Sequence, residues 1–220
     1  MAEDSKTATR EEPTAVHVGH VEEVADFLKK YGPSIAIGVL VAILVYVGML
    51  VYRGYKVDLA HRASLALGVA ADAAAYQEIV DQYADTPSAS IALLGVGAQN
   101  FSAGDYDAAY AAYDAFEQQH PGHPMVSAAR VCKAQCLEAT GRLDEALEFF
   151  NLFLAESESS YLVPLVLLAK ARCLTDQGNW DGARIAYEDL IAGYPETPWA
   201  NQGEAQLRIL GQRERASQRQ

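Results

Sequence analysis

The sequence predicts an all-α protein, with a single N-terminal transmembrane helix followed by a solenoid of stacked helical hairpins. Two observations carry the prediction. Ser34 to Tyr52 (SIAIGVLVAILVYVGMLVY) runs 19 residues without a charge, and a helix of about 20 residues rising about 1.5 Å each crosses the hydrocarbon layer of a bilayer. Beyond it, GDYDAA at Gly104, GRLDEA at Gly141 and GNWDGA at Gly178 recur at intervals of 37 residues, a spacing typical of helical repeat architectures.

Residues 1–19 are polar, charged and without periodicity, the composition of a disordered acidic leader. Residues 20–33 place Val21, Val24, Phe27 and Leu28 on one helical face, which predicts a short amphipathic juxtamembrane helix ending at Gly32-Pro33. The span 34–52 follows, with Lys29 and Lys30 before it and Arg53, Lys56 and Arg62 after it. That charge balance leaves the orientation open. The acidic leader and the length of the apolar run argue against a cleaved signal peptide. Gly38 and Ala42 form a small-xxx-small pair at which a partner helix can approach closely.

From residue 57 to 215 the chain reads as the solenoid, with repeats over 88–124, 125–161 and 162–198 and a tail at 216–220. Five kinds of position share the 37-residue period. Gly104, Gly141 and Gly178 suit a left-handed turn at a helix end. Asp107, Asp144 and Asp181 follow three residues later, where the helix dipole favours an anion. Gly97, Ala134 and Ala171 let paired helices cross closely, and Tyr76, Tyr113, Phe150 and Tyr187 fill the space beside them. Pro87, Pro124 and Pro198 separate the units, with Tyr161 standing in the one missing slot. Residues 72–87 read as the second helix of a degenerate leading hairpin, and 198–215 as a closing helix carrying Trp199, Leu207 and Leu210.

With Ser90, Ser127 and Pro164 as first positions, the pattern resembles the tetratricopeptide repeat. The small eighth residue, the alanine at the twentieth (Ala109, Ala146, Ala183) and the aromatic at the twenty-fourth all match. The late proline matches at Pro121 and Pro195, but Glu158 replaces it in the middle unit. The period also departs from the family's usual length of about 34 residues. More narrowly, VEEVADFLKKYGPSIAIGVLVAIL is similar to the N-terminus of YfgM-like ancillary subunits of the SecYEG translocon. The motifs YADTPSA and YPETPWANQGEAQLRIL resemble periplasmic repeat proteins of the BamD and cell-division-coordinator type.

These resemblances imply an inner-membrane protein whose repeat domain faces the periplasm and holds translocon subunits or periplasmic chaperones. The alternatives are an envelope-assembly or cell-division scaffold and a cytoplasm-facing tether. The first helix of each tetratricopeptide unit lines a concave surface at its second, fifth, ninth and twelfth positions. Carried over, these are Ile91, Leu94, Ala98 and Phe101; Ala128, Val131, Gln135 and Glu138; and Leu165, Leu168, Arg172 and Thr175. Besides protein partners, the lipid bilayer is an expected contact through residues 34–52.

Other functions find little support. A net charge of −12 lacks the basic clusters that bind nucleic acid. No nucleophile elbow, phosphate loop or His-Glu-x-x-His helix occurs, so no catalytic residue, cofactor or metal is expected. The densest group of potential ligands is GDYDAAYAAYDAFEQQHPGHP, with His120 and His123. Its slots recur elsewhere with non-ligands, since His120 aligns with Tyr83 and Tyr194, and His123 with Thr86 and Thr197. It reads as one repeat unit. Cys132, Cys136 and Cys173 read as buried free thiols.

Overall fold

The computed structural model describes residues 18–156 and 160–217. Most of the expected acidic leader, the Glu158 position and the last three residues of the tail lie outside them. The chain divides into two units, Met1–Val57 and Asp58–Gln220.

The first unit is built on α1 (Val18–Val69), which runs through Gly32 and Pro33 without a break. The expected joint between residues 20–33 and the 34–52 stretch is therefore absent, and 20–33 is no separate helix. Pro33 has no N–H, so it removes the donor that the Lys29 carbonyl would meet in an unbroken ladder. The turns on either side remain helical. α1 contains the one helix among the described residues that is long and apolar enough to cross a membrane, and its apolar window is wholly exposed.

The second unit begins with the last turns of α1, where Ala63 is fully buried. It continues through α2 (Ala73–Gln82), α3 (Pro87–Ala103), α4 (Tyr106–Gln119), α5 (Val126–Ala139), α6 (Leu143–Glu156), α7 (Val163–Asp176), α8 (Trp180–Gly193) and α9 (Pro198–Ser217). No strand occurs among the described residues. Each helix packs on the next from α2 onward, and α5 also touches α7, as α7 touches α9. The result is three hairpins, α3–α4, α5–α6 and α7–α8, with α2 in front and α9 behind.

Local chemistry explains each turn. Gly104, Gly141 and Gly178 adopt φ of 82°, 78° and 76°, a left-handed conformation that costs glycine nothing sterically. Each turn is closed by two backbone bonds, such as Gly104 N–H to Phe101 and Asp105 N–H to Asn100. The following helix is then capped by Asp105, whose carboxylate accepts from Ala108 N–H at 3.1 Å, or by Asn179, which accepts from Gly182 N–H at 3.0 Å. Arg142 holds that slot in the middle hairpin and instead pairs with Glu145 one turn on. Thr86 and Thr197 cap α3 and α9 through bonds of 3.3 Å from Ala89 and Ala200.

The periodic aromatics and small residues meet as pairs inside the stack. Phe150, Ala134, Ala146, Ala171, Ala183 and Tyr187 lie in one apolar cluster spanning α5 to α9. Tyr113, Phe116, Ala109 and Cys136 lie in a second cluster over α3 to α5. α5 contributes to both because its two faces meet different neighbours. Leu210 is buried on α9, and Trp199 and Leu207 pack at the edge of the same core. α9 also extends through Ala216 and Ser217, two residues of the expected tail.

Candidate functional site

The helices α3, α5 and α7 carry the twelve positions expected on the concave surface. The structure divides them sharply. Val131 and Leu168 are 0% and 3% exposed and belong to the core. Both occupy the fifth position and lie in the apolar cluster that spans α5 to α9. Thr175 is also buried, and its hydroxyl donates to the Ala171 carbonyl at 2.7 Å. These three side chains pack and are not presented to a partner.

The remaining positions reach the surface to different degrees. Ile91 and Ala98 are exposed, while Leu94, Phe101, Ala128, Gln135, Glu138, Leu165 and Arg172 are half-buried. Phe101, Gln135, Glu138 and Arg172, from three successive hairpins, line one open cleft of about 450 Å³ together with Ala139 and Asp176. Toward its apolar end Phe101 packs edge-on against Tyr106, with ring centroids 5.2 Å apart.

The polar end is organised by charge. Arg172 donates to both carboxylate oxygens of Glu138 at 2.7 Å, a fork geometry suited to guanidinium and carboxylate. Burial disfavours the charge on Arg172, but the bonds to Glu138 outweigh it and its pKa is raised. Asp176 has a looser partner, Arg213 of α9, at 3.7 Å.

Arg172 and Asp176 also border a second cleft, where Gln206, Ile209 and Arg213 of α9 face Tyr187 of α8. Burial, the largest influence, raises the Tyr187 phenol's pKa, so it is a neutral hydroxyl at physiological pH. The sequence reading missed Asp176, Gln206, Ile209 and Arg213 as surface residues. Asp176 stands at the thirteenth position, one past those carried over. The other three lie on the closing helix, which was read only for its apolar anchors.

The histidines of the opening repeat do packing work. The rings of His120 and His123 lie 5.4 and 5.1 Å from that of Phe116. His123 Nδ1 accepts from Met125 N–H at 3.1 Å, closing the loop into α5. The acidic residues beside them are matched by α5, since Lys133 bonds Asp114 at 2.9 Å and Glu117 at 2.7 Å, and Arg130 bonds Glu117 at 2.8 Å. Among the described residues, no three His, Cys, Asp or Glu side chains are grouped to hold a metal ion.

Cys136 and Cys173 are buried, and burial pushes each thiol up to about 12. Half-buried Cys132 is also raised by burial, against a contact with Tyr113 that lowers it. All three are free among the described residues. In the first unit, Gly38 and Ala42 lie one turn apart on the exposed surface of α1, with open space around Gly38.

Comparison with known proteins follows the same architecture. Residues 25–202 match the family model described as a tetratricopeptide repeat-like domain. No curated protein matches. Among solved structures, a tetratricopeptide repeat protein from Parabacteroides merdae aligns with a TM-score of 0.52 at 15% sequence identity. The alignment covers 72% of this chain and 60% of that one, so the likeness is one of fold and spans part of the larger molecule.

Proposed function

Because the chain belongs to the tetratricopeptide repeat-like domain family, we propose that it is a membrane-anchored protein-interaction module that holds a partner in its concave cleft. Domains of this kind generally bind proteins and are typically non-catalytic. The observation that carries the reading is the cleft in which Phe101, Gln135, Glu138 and Arg172 converge from three separate hairpins. Convergence of side chains far apart in sequence gives a solenoid an extended binding surface.

The chemistry of the cleft favours a protein segment with an apolar side chain beside Phe101 and polar groups toward Arg172 and Asp176. The exposed apolar stretch of α1 supports anchoring in a bilayer. Holding the module at a membrane raises its effective concentration near partners there without new contacts. The motif likeness to translocon-associated subunits supports a place beside protein-translocation or chaperone machinery, with the repeat domain in the periplasm and the anchor in the inner membrane.

Photo-crosslinking in vivo from residue 101 or 135, with mass spectrometry of the adducts, tests the cleft. Adducts with translocon or chaperone subunits support the proposal, and the absence of any protein adduct at both positions would falsify the cleft assignment. Protease added to intact spheroplasts tests the compartment: a periplasmic domain is cleaved, and a resistant one refutes that part.

A further inference from the structure

We infer that Gly32 to Val51 is the part of α1 that lies in hydrocarbon, with Tyr31 and Lys30 marking one boundary and Tyr52 and Lys56 the other. This rests on the membrane-anchor reading above and deepens it by specifying the helix's depth and the bilayer it fits.

Three observations converge on that register. Lys30 Nζ lies 5.4 Å from the centre of the Tyr31 ring, and Lys56 Nζ lies 5.9 Å from that of Tyr52. Each end of the apolar stretch therefore carries a cation beside an amphipathic ring, the combination that sits at headgroup depth. Phe27 packs 5.0 Å from Tyr31 and extends the aromatic surface outward on that side.

The spacing agrees with the thickness of a bilayer. Tyr31 and Tyr52 are 21 residues apart, or about 31 Å along a helix, against a hydrocarbon layer of about 30 Å. No charged residue lies between them. Pairing Tyr31 with Tyr46 would give a separation of only about 22 Å, and pairing it with Tyr55 would draw Arg53 inside.

Backbone hydrogen bonding gives the third observation. Pro33 interrupts the ladder of α1 and deprives the Lys29 carbonyl of its donor. An unsatisfied carbonyl in hydrocarbon costs several kcal/mol, by the general estimate for buried polar groups. The Tyr31 boundary puts that carbonyl on the water side, so the proline is tolerated within a spanning helix. A register displaced by one turn toward the N-terminus would bury it.

Scanning the full-length protein with one added cysteine at a time tests the inference. The chain is placed in unilamellar vesicles of phosphatidylcholine with 18-carbon monounsaturated chains, and a water-soluble maleimide is admitted to both faces. The native thiols are kept, and labelling of the unsubstituted chain is subtracted. Cysteine substitutions at positions 28 and 57 are expected to label at least tenfold faster than those from 35 to 49. If 35–49 label as fast as 28, both the anchor reading and this inference fall. If a protected stretch exists but its edges lie a turn or more from 31 and 52, the anchor reading stands and this inference falls.

The double substitution Y31A and Y52A should blur both edges, raising labelling at 34 and 49 at least threefold. Y46A should leave the edges in place. Unmoved edges in the double variant would overturn the boundary role of the two tyrosines.

Discussion

Arg172 on α7 grips both carboxylate oxygens of Glu138 on α5, so this ion pair ties the second hairpin to the third at the wall of the cleft. Glu138 is only 13% exposed, and Arg172 is 39% exposed. Removing one partner would leave the other charge partly buried and unpaired. Arg172→Met should therefore lower stability by about 1–2 kcal/mol, discounted for the exposure of the arginine. In urea titrations the R172M/E138Q double variant should lose less than the sum of the single losses. Strict additivity would show that the pair is not coupled.

Gly97 in α3 lies close against the Tyr113 ring of α4. A Cβ there would lie 2.6 Å from the Tyr113 ring, although Ala134 and Ala171 fill the equivalent slots of later hairpins. Gly97→Ala should destabilise the protein by about 1–3 kcal/mol through overpacking. Trimming the ring with Tyr113→Leu in the G97A background should recover part of that loss. An unchanged midpoint for G97A would mean that the ring moves aside freely.

Glu196 is the one non-glycine residue with positive φ among the described residues, at 59°. It sits in the loop between α8 and α9, where an L side chain is strained. Glu196→Gly should relieve that strain and stabilise the second unit by about 0.5–1 kcal/mol after allowing for glycine's greater freedom when unfolded. Gly141→Ala, at φ 78°, should act in the opposite direction. A calorimetric scan in which the two substitutions shift the midpoint the same way would contradict the argument.

The ion cluster of α4 and α5 predicts a pH effect. Burial tends to raise the Glu117 pKa, but hydrogen bonds from Lys133 and Arg130 outweigh it and hold it below its ordinary 4.5. A carboxylate with a depressed folded pKa stabilises the fold fully above its unfolded value, and that contribution disappears as pH falls through the folded value. Between pH 7 and pH 3 the unsubstituted chain should lose more stability than Glu117→Gln. Equal losses would show that Glu117 contributes nothing to acid sensitivity.

The hairpins were legible because their constraints are local and repeated. A glycine at φ near 80°, an anion three residues on and a small residue facing an aromatic each follow from the chain within a few turns. Repetition at one interval removed the ambiguity that any single glycine or tyrosine would carry. The repeat also placed His120 and His123 at the end of α4 and in the loop after it, because tyrosine and threonine hold the same slots elsewhere. The Gly32-Pro33 joint was misread. Proline does remove a donor, but one lost bond does not end a helix supported by long apolar turns on either side.

What the sequence by itself determined is the period, the left-handed turns and the apolar length of α1, since all of these depend on backbone geometry and nearby side chains. Only the tertiary structure decided which of the twelve carried-over positions reach solvent. Val131 and Leu168 share the fifth slot with Leu94, yet the first two are buried in the cluster spanning α5 to α9, while Leu94 is half-buried at the edge of the cluster over α3 to α5. The same stacking brings Arg213 of α9 to Asp176 and forms a second cleft beyond the last full hairpin. Position within a repeat specifies a side chain's direction, but the neighbouring helix it meets sets how much of that side chain a partner can touch.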